Sequence, residues 1–400
     1  MKIFLKINAC IILIGLSSLV YSQQHGLLSF DLMSGVVDTL KIPEFDNQIQ
    51  NEKTNFNMGI FNSDYCSLDS MPPTVNVYPN SNFTKKRQAS KDFDINCFPI
   101  RTSLKLFIMN NDSLMGLCSG VMISRRHVLT AAHCIANMNE NTLKNDSIFI
   151  CPVFDNGVSN PNFHCSWVKK AYFFKNWNMS QTDIAILELD IPVGDETGWV
   201  SIGFDSNDSL LLDGIFYKFL YPNITIPQID PNNYNGDTLY YNYGIVDLAG
   251  THSLGISNAS GIPGESGSSL IKVVNNANYT TYGVLSFSNN LVHTRLTNWK
   301  YYSFKSIIIN DLELGIPNDF TETEMTVYPN PTTDYLNIIS QDNQFIDRII
   351  LFDLNGRKLM DKNYSSSPVT LDVSDLPQGM YLLITFSGKN KHVKKIIKNY

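Results

Sequence analysis

Ser260-Gly-Ile-Pro-Gly-Glu-Ser-Gly-Ser-Ser-Leu270 is a run of small residues that presents one serine, Ser266, with glycines at 264 and 267. A glycine two positions before a serine and another one after it let the backbone turn tightly. The hydroxyl then projects outward, and nearby N–H groups stay free to face a ligand. An acyl-transfer nucleophile needs such a setting. Gly and Ser also crowd ordinary turns, so the reading depends on whether a base and an acid stand elsewhere in the chain.

Two other stretches supply those residue types. Val128-Leu-Thr-Ala-Ala-His-Cys134 sets His133 after an apolar run and beside a cysteine. Thr182-Asp-Ile-Ala-Ile-Leu-Glu-Leu189 sets Asp183 at the mouth of a buried strand. The chain order is His, Asp, Ser. Among the unrelated architectures that carry this trio, that order belongs to the chymotrypsin-type double barrel and excludes the subtilisin and α/β-hydrolase arrangements. About fifty residues separate His133 from Asp183 and about eighty more lead to Ser266, which suits one six-stranded barrel followed by another.

On these boxes the stretch from about Cys97 to about Ile309 resembles a chymotrypsin-fold (trypsin-like) serine peptidase. The family's Thr-Ala-Ala-His-Cys is met without mismatch. Its Asp-Ile-Ala-Leu-Leu is met as Asp183-Ile-Ala-Ile-Leu187, and its Gly-Asp-Ser-Gly-Gly-Pro loosely as Gly264-Glu-Ser-Gly-Ser-Ser269. The resemblance implies an all-β fold of two six-stranded antiparallel barrels. It implies Ser266 as nucleophile, His133 as base, Asp183 as the acid that orients it, and the N–H groups of Gly264 and Ser266 as an oxyanion hole. No metal or cofactor is implied. Ser260, Ser286, Phe287, Ser288 and His293 fall where the family lines its substrate pocket, and a helix is expected over about 298–309. His127 reads as an exposed bystander.

Ser260 stands six residues before the nucleophile, where trypsin-like enzymes place an aspartate, and it offers no charge to a cationic side chain. A small or apolar residue before the cut is therefore expected first and an acidic one second, the latter because an imidazole at 293 would polarise the pocket. Other departures concern the loops. Glu265 stands where the family has the aspartate that pairs with a newly released N-terminus, and the family's Ile-Val-Gly-Gly start is missing. Ile262 replaces a pocket-bracing cysteine, and Ser268-Ser269 replace Gly-Pro.

The chain has 400 residues, 43% of them apolar, with a net charge of −7. That length allows two or three domains with real cores. The charge offers no basic stripe for phosphates, which excludes nucleic acid as a general partner and leaves protein or peptide partners. Short runs rich in Tyr, Phe, Val, Ile and Thr, broken by Asn, Asp and Gly, read as mostly β.

Residues 1–22 read as a signal peptide: Lys2 and Lys6 precede the apolar run Ala9 to Val20, and Ser22 is small enough for cleavage. No later segment is apolar enough for a transmembrane span, so export is expected, to a secreted or surface-attached location. Cys10 lies in that leader, which leaves Cys66, Cys97, Cys118, Cys134, Cys151 and Cys165, an even number in an oxidising compartment. The family resemblance implies a Cys118–Cys134 disulfide; pairing of Cys151 with Cys165 and Cys66 with Cys97 follows only by neighbourhood.

Residues 23–95 carry no legible chemistry. They read either as a pro-segment, cut at Lys85-Lys86-Arg87 or Lys91, or as a structural extension before a peptidase domain at 96–310. Residues 311–324, acidic with Gly315 and Pro317, read as a linker. Residues 325–400 form a separate module of about seven short strands, with a hairpin turn at Asn355-Gly356, and suggest a small β-sandwich. Its Tyr328-Pro-Asn-Pro331, Leu376-Pro-Gln-Gly-Met-Tyr381 and basic run Lys389 to Lys398 resemble the C-terminal sorting domain of the Bacteroidetes type IX secretion system, which implies secretion machinery as a partner. An adhesion or carbohydrate-binding sandwich is the alternative for the module. For the whole chain, the alternative is a catalytically inactive, peptidase-like surface binding protein.

Overall fold

Alternation along Ser103–Asn110 makes a strand, and Asn111 and Asp112, both at positive φ (47° and 59°), turn it into the hairpin partner Ser113–Met122. Asn and Asp tolerate that left-handed conformation, which matches the twist of the flanking strands. Four more strands, His127–Thr130, Ser147–Pro152, Ser166–Phe174 and Ala185–Leu189, complete the sheet. Ala185–Leu189 pairs antiparallel with both His127–Thr130 and Ser166–Phe174, so the six strands close into a barrel. Leu106, Ile150 and Phe173 share one face of this sheet and Leu129 and Ile186 the other, and all five are buried. This is a computed structural model, which describes residues 26–40, 54–56, 66, 68, 77, 79–224, 234–274, 278–314, 325–340, 345–353, 358–387 and 390–399.

The second set of strands is Phe216–Leu220, Tyr240–Gly244, Ser253–Gly255, Ser269–Val274, Asn278–Phe287 and Val292–Arg295. They curl around a core that includes Phe216, Leu254, Leu270, Tyr282 and Leu285. Where a second closed barrel is expected, this sheet remains a half-barrel. The edge of Tyr240–Gly244 pairs instead with Arg87–Gln88, and Phe83 bridges to Gly244. A strand edge carries unpaired N–H and C=O groups, and here an earlier segment of the chain satisfies them.

The N-terminal stretch thus contributes to both sheets. Leu27–Asp31 adds to Ser166–Phe174, and Thr54–Phe56 adds to Ser201–Phe204. The helix Asn298–Leu314 buries Tyr301, Phe304 and Ile308 at helical spacing and runs past the expected end near 309. Leu312, Glu313 and Leu314 favour the helix, and the breakers Gly315 and Pro317 come only afterwards. No helix among the described residues is long and apolar enough to cross a membrane.

Contacts divide the chain into two units, Met1–Ile308 and Ile309–Tyr400. The second holds a three-stranded sheet (Met325–Tyr328, Tyr335–Ser340, Val369–Asp372) and a four-stranded one (Lys358–Ser366, Ile346–Asp353, Gly379–Ser387, Asn390–Lys398). Both contribute to one core around Leu336, Ile349, Leu351, Leu371 and Leu383. The signal peptide expected at 1–22, the rest of the expected linker from 315 and the expected Asn355-Gly356 turn lie outside the described residues.

Three disulfides join Cys66 to Cys97, Cys118 to Cys134 and Cys151 to Cys165. The second closes a loop of sequence separation 16 and tethers the turn that carries His133. Replacing both Cys118 and Cys134 with Ala is expected to cost about 3 kcal/mol by the loop-entropy account. Urea unfolding checks it: an unchanged midpoint would mean that the tether does not constrain the unfolded chain.

Candidate active site

The strand His127–Thr130 ends in a short 3₁₀ turn, Ala132–Cys134, packed through the fully buried Ala131 and Ala132. This turn sets His133 beside Asp183, which precedes the strand Ala185–Leu189. One carboxylate oxygen of Asp183 accepts the backbone N–H of His133 at 2.8 Å, and the other lies 2.7 Å from His133 Nδ1. Ser286 Oγ donates a further hydrogen bond to Asp183 Oδ2. An ionised carboxylate only accepts, so the proton on this side of the ring belongs to Nδ1. Asp183 is wholly buried, while the His133 side chain keeps 22% exposure. The pair therefore has a sheltered end and an open end.

The loop at 260–268 lies against the first barrel. Gly264 and Gly267 take φ of +85° and +82°. A Cβ on Gly264 would collide with the carbonyl oxygen of Tyr221. One on Gly267 would collide with Thr130 Oγ1 and Ser119 O and reach within 3.0 Å of Ala131 N. Only glycine allows both the conformation and the approach. Ser119 fastens the loop: its N–H donates to Ser266 O at 2.8 Å, its Oγ donates to Gly264 O at 2.8 Å, and the same Oγ accepts from Tyr221 N–H at 3.0 Å.

On the far side, Gly267 N–H donates to Leu285 O and Leu285 N–H to Ser268 O, joining the loop to the strand that bears Ser286. The N–H groups of Gly264 and Ser266 make no hydrogen bond among the described residues. The Ser266 residue itself is partly exposed. Ser266 Oγ and His133 form no hydrogen bond here, and such contacts in unliganded sites are often loose.

The five expected pocket residues divide into two groups. Ser260 is exposed and bridges to Asn289, and Gly261 N–H donates to Ser288 O at 2.8 Å, so 260–261 and 288–289 run side by side. Phe287 and Ser288 are exposed on this rim, whereas Ser286 is buried against Asp183. His293 is fully buried, and burial, with Lys218 nearby, holds its pKa well below the usual range. It is a neutral core residue and supplies no positive charge.

His127 also departs from expectation. It is wholly buried, with Nδ1 2.7 Å from Ser124 Oγ, and burial pushes its pKa down to about 3. The preceding Arg125 and Arg126 turn outward, and His127 begins the strand and faces the other way. Two residues that the motifs did not single out matter here. Ser119 is signalled only by its place after Cys118, and Lys86, which lies in the basic cluster of a pro-segment or structural extension, pairs with Glu265.

Residues 96–213 match the family model described as Trypsin, and residues 326–399 match that of a secretion system C-terminal sorting domain. The chain thus carries a trypsin-like peptidase domain and a sorting domain, and it is an exported protein, secreted or attached to the cell surface. The first matched stretch includes His133 and Asp183 and stops before Ser266. A solved structure of a Glu endopeptidase in complex with MPD is similar at 18% identity and a TM-score of 0.45, covering 56% of this chain and 96% of that one. No curated protein matches the chain.

Ser119→Ala would leave the Tyr221 N–H without its acceptor in a buried setting, at a cost of about 1 to 3 kcal/mol. Urea unfolding together with turnover of a peptide substrate checks it. Both stability and turnover are expected to fall, since the same hydroxyl holds Gly264 O.

Proposed function

We propose that this exported protein is a serine endopeptidase acting through His133, Asp183 and Ser266 with an acyl-enzyme intermediate. The observation that carries the reading is the buried Asp183 carboxylate holding both the backbone N–H and Nδ1 of His133, which leaves Nε2 basic on the open side. Ser266 Oγ attacks a peptide carbonyl carbon while Nε2 takes its proton. The imidazolium that forms is stabilised by Asp183 and returns the proton to the leaving amine as the C–N bond breaks. Water, deprotonated the same way, then releases the acyl group. The free N–H groups of Gly264 and Ser266 are the donors for the oxyanion, and each is worth about 2.7 to 4 kcal/mol in the transition state.

Several finer readings accompany this one. Residues 96–310 are the peptidase domain, 1–22 a signal peptide, and 325–400 the segment read by the secretion machinery. Ser260 and the rim of Phe287 and Ser288 line the pocket without a charge. With His293 neutral and buried, a small or apolar residue before the cut ranks first and an acidic one second.

Ser266→Ala is expected to abolish turnover and labelling by an organophosphorus probe without unfolding the chain, because a part-exposed hydroxyl contributes little packing. Substantial cleavage by that variant would overturn the assignment. A cleavage profile on a peptide library tests the pocket, where a dominant preference for Lys or Arg would show Ser260 to be misplaced. A chain ended after Leu314 should remain active yet accumulate in the periplasm of its native host; normal extracellular appearance would refute the sorting role.

A further inference from the structure

Glu265, immediately before Ser266, is wholly buried, and its carboxylate is met by a cation from the N-terminal stretch. Lys86 Nζ lies 3.0 Å from Glu265 Oε1, and the Lys86 side chain is only 4% exposed. The same Oε1 accepts the Ile262 N–H at 3.0 Å, and Lys86 Nζ also donates to Ser260 O at 3.1 Å. One ammonium thus engages both ends of the 260–265 turn, which contains Gly264 and leads directly into Ser266. Lys218 is the other cation near the carboxylate, 3.9 Å from Oε2 and without a hydrogen bond of its own. It cannot replace the direct contact.

Lys86 is delivered by a strap laid along the edge of the second sheet. Thr84 N–H donates to Tyr243 O, Arg87 and Gln88 pair with Tyr241 and Tyr240, and Ala89 N–H donates to Leu239 O. Phe83 is fully buried in the core of that sheet. In an extended strand, alternate side chains face opposite ways. Lys85 and Arg87 accordingly lie outside while Lys86 points in, and Arg87 is held by its ion pair to Asp92.

We infer that Lys86 is a positioning residue for the oxyanion site, an internal cation that holds the turn before Ser266 in its active shape, so that the strap around residues 83–89 is a working part of the mature enzyme and not a removable pro-segment. The inference rests on the peptidase reading. Removing one member of a buried ion pair strands the other charge. A stranded Glu265 draws the turn away from the geometry in which its N–H groups meet the oxyanion. Because those donors act on the transition state, the loss falls on kcat more than on KM.

The test compares the full-length secreted chain with Lys86→Met, measuring kcat and KM on one peptide, the rate of organophosphorus labelling at Ser266, and the folded fraction by near-UV circular dichroism. The expected result is a fall in kcat per folded molecule of roughly tenfold or more, with labelling slowed in step and KM within about threefold. If Lys86→Met does not fold, Lys86→Met with Glu265→Gln removes the stranded carboxylate, and kcat per folded molecule is again expected to fall because the ammonium that ties Ser260 O to residue 265 is still missing. Wild-type kcat per folded molecule in either variant overturns the inference, even where the unfolding midpoint falls, because a purely structural role would do that. If the unaltered chain neither cleaves peptides nor takes label, the peptidase reading falls and this inference with it. An active unaltered chain beside an equally active variant sinks the inference alone.

Discussion

A carboxylate with no exposure to water is the constraint around which this site is built. Burying an unpaired charge costs several kcal/mol or more, so Asp183 persists only because donors surround it. Two of these belong to His133, its backbone N–H and Nδ1–H, and the third is the hydroxyl of Ser286 on the second sheet. One anion therefore performs two tasks. It fixes the tautomer and orientation of the imidazole, and it ties the loop of the first barrel to a strand of the second sheet. Neither sheet completes the arrangement alone.

A second tie runs through a pair of neighbouring residues on the strand Ser113–Met122. Cys118 bridges to Cys134, directly after His133, and Ser119 holds Gly264 and Ser266 through its backbone and its hydroxyl. Successive side chains of a strand point to opposite faces, so one strand can support two loops at once. The spacing between the His133 turn and the Ser266 loop is thus set by a rigid element common to both. Gly267 completes the contact by having no Cβ to hold the loop away from Ala131.

The sequence made much of this legible, for physical reasons that also explain what it concealed. His133, Asp183 and Ser266 each lie in a short local pattern whose residue types are needed together, and their chain order selects one architecture. The sandwich at the C-terminus is legible because alternation and turn residues are local. The partner of the Tyr240–Gly244 edge is not local: it lies at Arg87–Gln88, about 150 residues earlier, and no periodicity announces it. That is why a closed second barrel was expected where a half-barrel stands. The burial of the His127 and Lys86 side chains is hidden for one reason, since each is adjacent to exposed basic residues. Charge in a neighbour says nothing about which face of a strand a side chain takes.

The buried charges behind the nucleophile turn show why the earlier segment matters to the later one. Glu265, Lys218 and His293 are all enclosed, and burial pushes the Lys218 ammonium down to about 8 and keeps His293 neutral. Lys218 alone, 3.9 Å from the carboxylate and lacking any hydrogen bond, would leave Glu265 poorly matched. Lys86 supplies the close contact, and it reaches the site only because the chain between Phe83 and Ala89 has found an open sheet edge to pair with. A closed second barrel would have satisfied that edge from within and left no place for the strap. The incomplete closure of the sheet and the presence of a cation beside Glu265 are therefore two consequences of one pairing, in which a strand added at the edge brings its inward side chain to the turn that precedes Ser266.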